Sequence, residues 1–329
     1  MGALLTKPKA ALAAVRTTLS IGINGVEHAY RYFRLPNSDA ATKSDGVLHL
    51  TMFDQCVEMA RSLGNGALPF VFHKGENQRM QAYLRSTDFL LHQDGERHAH
   101  LRGLVQKQLQ DVHESRGEHA SLPQFEGDKG HLQRQAIMSV HGAISTMPLS
   151  EQDAQKVLDC RNTIGQAAVL PFSTQRMLRS VEKLAQKVEP KVGSYSNLHM
   201  LWFNMAPIVP ISLLTIEYCK QHNLSKEDVE DALHETMRLH PPVPHVSYRQ
   251  GESVCAVNLA SALMDEKQFP EPTLFKLRRP GVRSLNFFAA SESRGCPGVR
   301  IAMQIMEKIV CDLHFSSTPQ ADVPVNQAV

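Results

Sequence analysis

A cysteine set in a tight turn directly ahead of a long apolar helix is the feature that most narrows what this chain can become. The turn reads Arg294-Gly295-Cys296-Pro297-Gly298, and Val299, Ile301, Ala302, Ile305, Met306, Ile309 and Val310 follow at helical spacing. Amides at a helix start and the positive end of its dipole favour a charged sulfur, and the neighbouring Arg294 and Arg300 add to that preference. A thiolate held this way is a competent axial ligand for haem iron. The same pentapeptide also suits a half-buried structural cysteine beside a loop.

A second segment upstream bears on the choice. Val229, Ala232, Leu233, Met237 and Leu239 mark one apolar face of a helix that the Pro241-Pro242 pair ends. Glu235 and Arg238 lie three apart, so they share a face and can pair within the helix. An isolated pair of this kind is usually solvated and worth almost nothing. Here the helix stops at a proline cluster, and Cys296 follows 61 residues after Glu235.

With these two segments in order, the chain resembles the cytochrome P450 family. Glu235-Thr-Met-Arg238-Leu-His-Pro-Pro-Val-Pro is similar to its Glu-x-x-Arg helix and proline exit, and Phe269 to Arg279 is similar to the segment that closes a Glu-Arg-Arg triad. Asp94-Gly-Glu-Arg-His98-Ala-His-Leu-Arg102 is similar to the helix that crosses the haem edge. The match is clear over 90–110 and 198–315. The resemblance implies a mainly α fold with small β-sheets, forming one shortened P450-like haem domain over 1–329 with its haem-binding core at 198–315.

It also implies haem b, with the iron on Cys296. Haem carries two propionates that need cationic hydrogen-bond donors in a partly dry site. His98 and Arg102, four apart on one helical face, suit that role, with Arg294 beside the cysteine and Arg249 and His245 as further contacts one register away from the usual pattern. A solvated basic helix face is the alternative for His98 and Arg102.

The chain departs from the family at both faces of the expected haem. In the cysteine loop Phe288 stands one place early, and Ala290 and Glu292 occupy positions where glycines are usual. Lost glycines would strain the loop if φ > 0 is required there, and Glu292 would oppose a thiolate. On the other side, residues 197–215 carry no adjacent acid and alcohol for proton delivery to dioxygen; Ser212 and Thr215 are the nearest candidates, with no acid before Glu217. Pro207 and Pro210 are expected to kink that helix. Phe203-Asn204 is similar to the Phe-Asn of allene oxide synthases, which implies that Asn204 orients a peroxide. Ala206 to Ser212 resembles the fatty-acid peroxygenase segment, without its arginine.

Composition constrains less. A formal charge of +2 gives no nucleic-acid signature, and the six cysteines lack zinc or disulfide spacing, which points to a reducing, intracellular and cytoplasmic setting. Residues 1–35 hold one acid, Glu27, and read as a first helix, a transit segment or, through Met1-Gly2, an N-myristoylated anchor for peripheral membrane association. Residues 36–48 and 111–131 read as exposed, turn-rich stretches, 150–240 as helical, and 250–262 as the place for strands.

The chain is short for the family, chiefly between Arg102 and the distal helix and after Cys296, so the roof over the substrate is expected to be reduced. Three functions fit: a monooxygenase acting on a small lipophilic substrate with electrons from a ferredoxin or flavoprotein reductase; a peroxygenase or an isomerase or dehydratase of fatty-acid hydroperoxides; and a haem-binding protein without turnover.

Overall fold

The computed structural model describes residues 37–39, 42–44, 47–63, 68–69, 93–116, 122–144, 149–167, 196–243, 246–250 and 253–316. The expectations for residues 1–35 and for His245 fall outside these. The described chain is mainly helical with one small sheet, the class expected from the sequence.

Strands β1 (Thr42–Ser44) and β2 (Val47–Leu50) precede helix α1 (Phe53–Ser62) and the two-residue β3 (Leu68–Pro69). Helices α2 (Gly95–Arg116), α3 (Lys129–Ile144), α4 (Glu151–Ala167), α5 (Ser196–Gln221) and α6 (Val229–Leu239) follow. Then come β4 (Val246–Gln250), β5 (Ser253–Val257) and, after two single-turn helices, α7 (Val299–Val310). The sheet order is β1-β2-β5-β4-β3, with β2 parallel to β5 and the other pairs antiparallel. Among the described residues no helix is long and apolar enough to cross a membrane.

Periodicity explains the helical core. In α5, Ile208, Val209, Ile211, Ile216 and Cys219 are buried, and in α7, Ala302, Ile305, Met306, Ile309 and Val310 face them. Helix α6 is buried on both sides, since every residue from Ala232 to Leu239 lies in the interior. That excludes a solvated Glu235–Arg238 pair. A second cluster joins α1 to the sheet and to the segment before the cysteine, through Phe53, Val57, Tyr248, Val257, Phe269 and Phe288.

Three sequence expectations change. The stretch 111–131 is not one exposed loop: α2 runs to Arg116 and α3 starts at Lys129. Between them Phe125 is buried, its N–H held by Asp312 at 2.8 Å. Residues 36–48 contain β1 and the start of β2, so the sheet draws on the N-terminal part as well as on 250–262. Pro207 and Pro210 both lie inside α5, which continues through them as one helix.

Candidate haem-binding site

The site is built from the loop before α7, the start of α2 and the edge formed by β4. Asn286 begins the loop, its amide donating to both the carbonyl oxygen (3.0 Å) and Nδ1 (3.2 Å) of His234 on α6. The chain then doubles back at Phe287 and Phe288, with φ of 56° and 57°. Two successive non-glycine residues in the left-handed region are costly and persist only when packing holds them. Phe288 is buried and stacks on Tyr248, and the Phe287 carbonyl accepts the Cys296 N–H at 2.9 Å, which closes the loop.

The glycine question therefore has a different answer from the one the sequence suggests. Among the described non-glycine residues, positive φ occurs at Phe287 and Phe288 in this loop and not at Ala290 or Glu292. The glycine that the loop needs is Gly295: a Cβ there would stand 2.6 Å from the Ser291 oxygen and 3.2 Å from the Phe288 oxygen. Glu292 is exposed and does not act on the sulfur.

Cys296 ends the turn, and Gly298 caps α7 by accepting the Ala302 N–H at 3.0 Å. Burial pushes the Cys296 thiol up from its ordinary value, while the Gly298 N–H and the Arg102 charge pull it down. The charge near the sulfur is thus Arg102, not the adjacent Arg294 or Arg300; Arg300 is exposed. Arg102 reaches from α2 to donate Nη1 to the Gly295 carbonyl at 2.8 Å.

Arg294 is 7% exposed and donates Nη1 to the Gln93 carbonyl at 3.1 Å. Burial lowers its pKa; Tyr248 and Asp94 oppose that, and Arg102 adds to it. His98, 2% exposed, is pushed down to about 4 by burial and by the Arg294 and Arg102 charges. It enters the site as a neutral N–H donor, not as the cation expected from the sequence. Two buried arginines beside one acid, Asp94, leave an excess of positive charge that calls for an anion. The paired carboxylates of haem, with a thiolate ligand close by, fit this donor set.

A buried network braces the site from behind. Glu235 receives Arg238 in a two-pronged pair at 2.8 Å each, and Arg279 Nε at 3.1 Å. The remaining guanidinium N–H groups donate to the carbonyls of Leu263, Pro270, Glu271 and Leu274, and the Lys276 N–H adds a further bond to Glu235. With its charges paired and its donors satisfied, the triad fixes the segment that leads into the cysteine loop.

The residues expected to serve the opposite face divide. Ser212 and Thr215 are fully buried in helix packing. Ser212 Oγ donates to Ile208 and lies 3.5 Å from the Met306 carbonyl, while Thr215 Oγ1 bonds Ile211 and Thr236. Met306 sits seven residues into α7, about 10 Å along its axis from the cysteine end. Both hydroxyls are taken up by the α5–α6–α7 core, which corrects their assignment as catalytic groups. Asn204 lies within α5, and Arg249 pairs with Leu68 and Val254 in the sheet; the side chains of both fall outside the described residues.

Sequence reasoning missed Tyr248, Asn286, His234, Gln93 and Gly295. Only the glycine, adjacent to the cysteine, carried a local signal.

No family model and no curated protein matches the sequence. Solved structures do. P450BioI in complex with acyl carrier protein ligated to hexadec-9Z-enoic acid superposes with a TM-score of 0.60 at 12% identity, covering 90% of this chain and 92% of that one. An unusual cytochrome P450-like monooxygenase of microbial secondary metabolism gives 0.58 at 14% identity, covering 88% and 91%. CYP109E1 from Bacillus megaterium, in complex with testosterone, gives 0.56 at 12% identity, covering 88% and 90%. The chain has the cytochrome P450 fold.

Proposed function

We propose that this protein is a haem-thiolate oxidoreductase that holds haem b on Cys296 and inserts oxygen into a small lipophilic substrate. The observation that carries this reading is the buried set of Arg102, Arg294 and His98 gathered around the cysteine loop. Iron ligated by a thiolate supplies O–O bond cleavage. The chain's own part is to hold that ligand. Arg102 fixes the peptide before Cys296, Phe287 holds the Cys296 N–H, and the Gly298 N–H favours charge on the sulfur. Arg294 and His98 are suited to the propionates.

The fatty acid and the steroid named with two of the similar structures fit a lipophilic substrate class. Electrons would come from a separate ferredoxin or flavoprotein. The reading is tested by the reduced, CO-bound spectrum of haem-loaded protein: a band at about 450 nm is expected, and its absence, or its retention in Cys296→Ser, rejects the ligand assignment.

A second reading, a peroxygenase or a fatty-acid hydroperoxide isomerase or dehydratase of allene oxide synthase type, is favoured by the loss of Ser212 and Thr215 to helix packing. A hydroperoxide already holds a reduced O–O bond, so it needs no electron input and less proton delivery. Parallel assays with a fatty-acid hydroperoxide and with NADPH plus a surrogate reductase separate the two oxidants. A 450 nm band with no turnover in either assay identifies a haem-binding protein without catalysis.

A further inference from the structure

Tyr248 is 7% exposed, and its ring stacks on Phe288 with centroids 5.8 Å and planes 20° apart. Phe288 belongs to the loop that the Phe287–Cys296 bond closes, so β4 lies directly against the support of the cysteine. Buried tyrosines ordinarily find a partner for the hydroxyl. This one has none among the described residues. Burial pushes the phenol up to about 12, with the Arg294 charge close enough to act against that rise. The hydroxyl is therefore a proton donor at neutral pH, placed near a guanidinium that cannot accept its hydrogen bond. What is missing is an anionic or carbonyl oxygen that Tyr248 and Arg294 can share.

Resting on the haem reading above, we propose that the Tyr248 hydroxyl donates to a carboxylate of bound haem, joining Arg294 and His98 in holding that group. Tyr248 is a cofactor-binding residue that the charged positions Arg249 and His245 drew attention away from. A phenol here adds a directed hydrogen bond without enlarging the positive charge already concentrated in Arg102 and Arg294.

The test uses the haem-loaded full chain and its Tyr248→Phe variant, which keeps the ring and its stack on Phe288. Loss of haem to excess apomyoglobin is followed for both, first with haem and then with haem dimethyl ester, whose carboxylates are capped. The expected result is haem loss roughly tenfold faster in Tyr248→Phe, as for a hydrogen bond to a charged group, with the CO-bound band unmoved and the difference collapsing with the ester. Equal rates for the two proteins with haem overturn the proposal, as does a difference that the ester leaves intact, which would assign Tyr248 to packing. If the wild-type chain takes up no haem, the functional reading itself falls and this proposal with it. A haem-loaded wild type with an indifferent variant removes this proposal alone.

Discussion

Arg102 and Gly295 are 193 residues apart in sequence and 2.8 Å apart in space. Through that bond α2 is tied to the peptide before Cys296, so the helix carrying His98 and the loop carrying the cysteine form one unit. The bond also leaves the Gly295 peptide little freedom, since its N–H is held by the Ser291 carbonyl at 2.9 Å.

Gly295→Ala is expected to destabilise the protein by about 1–3 kcal/mol, because the new Cβ meets backbone oxygens that no rotamer change can move. Ala290→Gly and Glu292→Gly, which restore glycines at the positions usual in the family, are expected to give no gain, since neither residue has positive φ. Urea unfolding of the three variants checks both statements. Stabilisation by more than about 1 kcal/mol in either glycine variant would place the strain elsewhere.

Glu235→Ala removes the acceptor shared by Arg238, Arg279 and the Lys276 N–H and leaves two buried guanidinium groups uncompensated. Loss of about 3–5 kcal/mol, or insoluble protein, is the expected outcome. Soluble Glu235→Ala with an unchanged unfolding midpoint would contradict the buried network.

His234 predicts how stability changes with pH. Burial first, then the Arg283 charge, push it down to about 4, against the opposing pull of Glu230 and Asp231. The unfolded chain therefore binds the proton near pH 6.5, where the folded chain does not. Stability from this site is full above pH 6.5, falls as pH drops, and levels off below about 4. Protonation would also set an N–H of the imidazole against the Asn286 amide donor at the start of the cysteine loop. Unfolding of haem-free protein between pH 7 and 4.5 should show a slope that shrinks by up to about one proton in His234→Gln; an unchanged slope would remove His234 from the account.

Ser212→Ala and Thr215→Val test the reassignment of the two hydroxyls. Each is expected to cost about 1 kcal/mol of stability and to leave turnover within twofold with either oxidant. A tenfold loss of reductase-driven turnover without loss of stability would return them to proton delivery.

What the sequence reveals here depends on how far apart the partners are. The turn around Cys296, the Glu235–Arg238 spacing and the Val229–Leu239 face are local, and each is visible as a short pattern. Arg279 became legible only through resemblance, because 44 residues separate it from Glu235. Arg102 was read as a propionate donor, and nothing nearby announces its bond to Gly295. Tyr248 was passed over because a tyrosine in a strand looks like core; only the stack on Phe288 and the unpartnered hydroxyl distinguish it. The two- to four-residue strands β1, β2 and β3 are too short to show alternation.

The parallel pairing of β2 with β5 has a temporal consequence. Leu50 sits opposite Val257, so 207 residues must be made after the first strand before its partner exists. At ribosomal speeds of about 5–20 residues per second that is a wait of roughly 10–40 s, during which β2 offers an unsatisfied edge to any other chain. The sheet against which Tyr248 and Phe288 stack, and with it the support of the cysteine loop, is among the last parts of this protein to assemble.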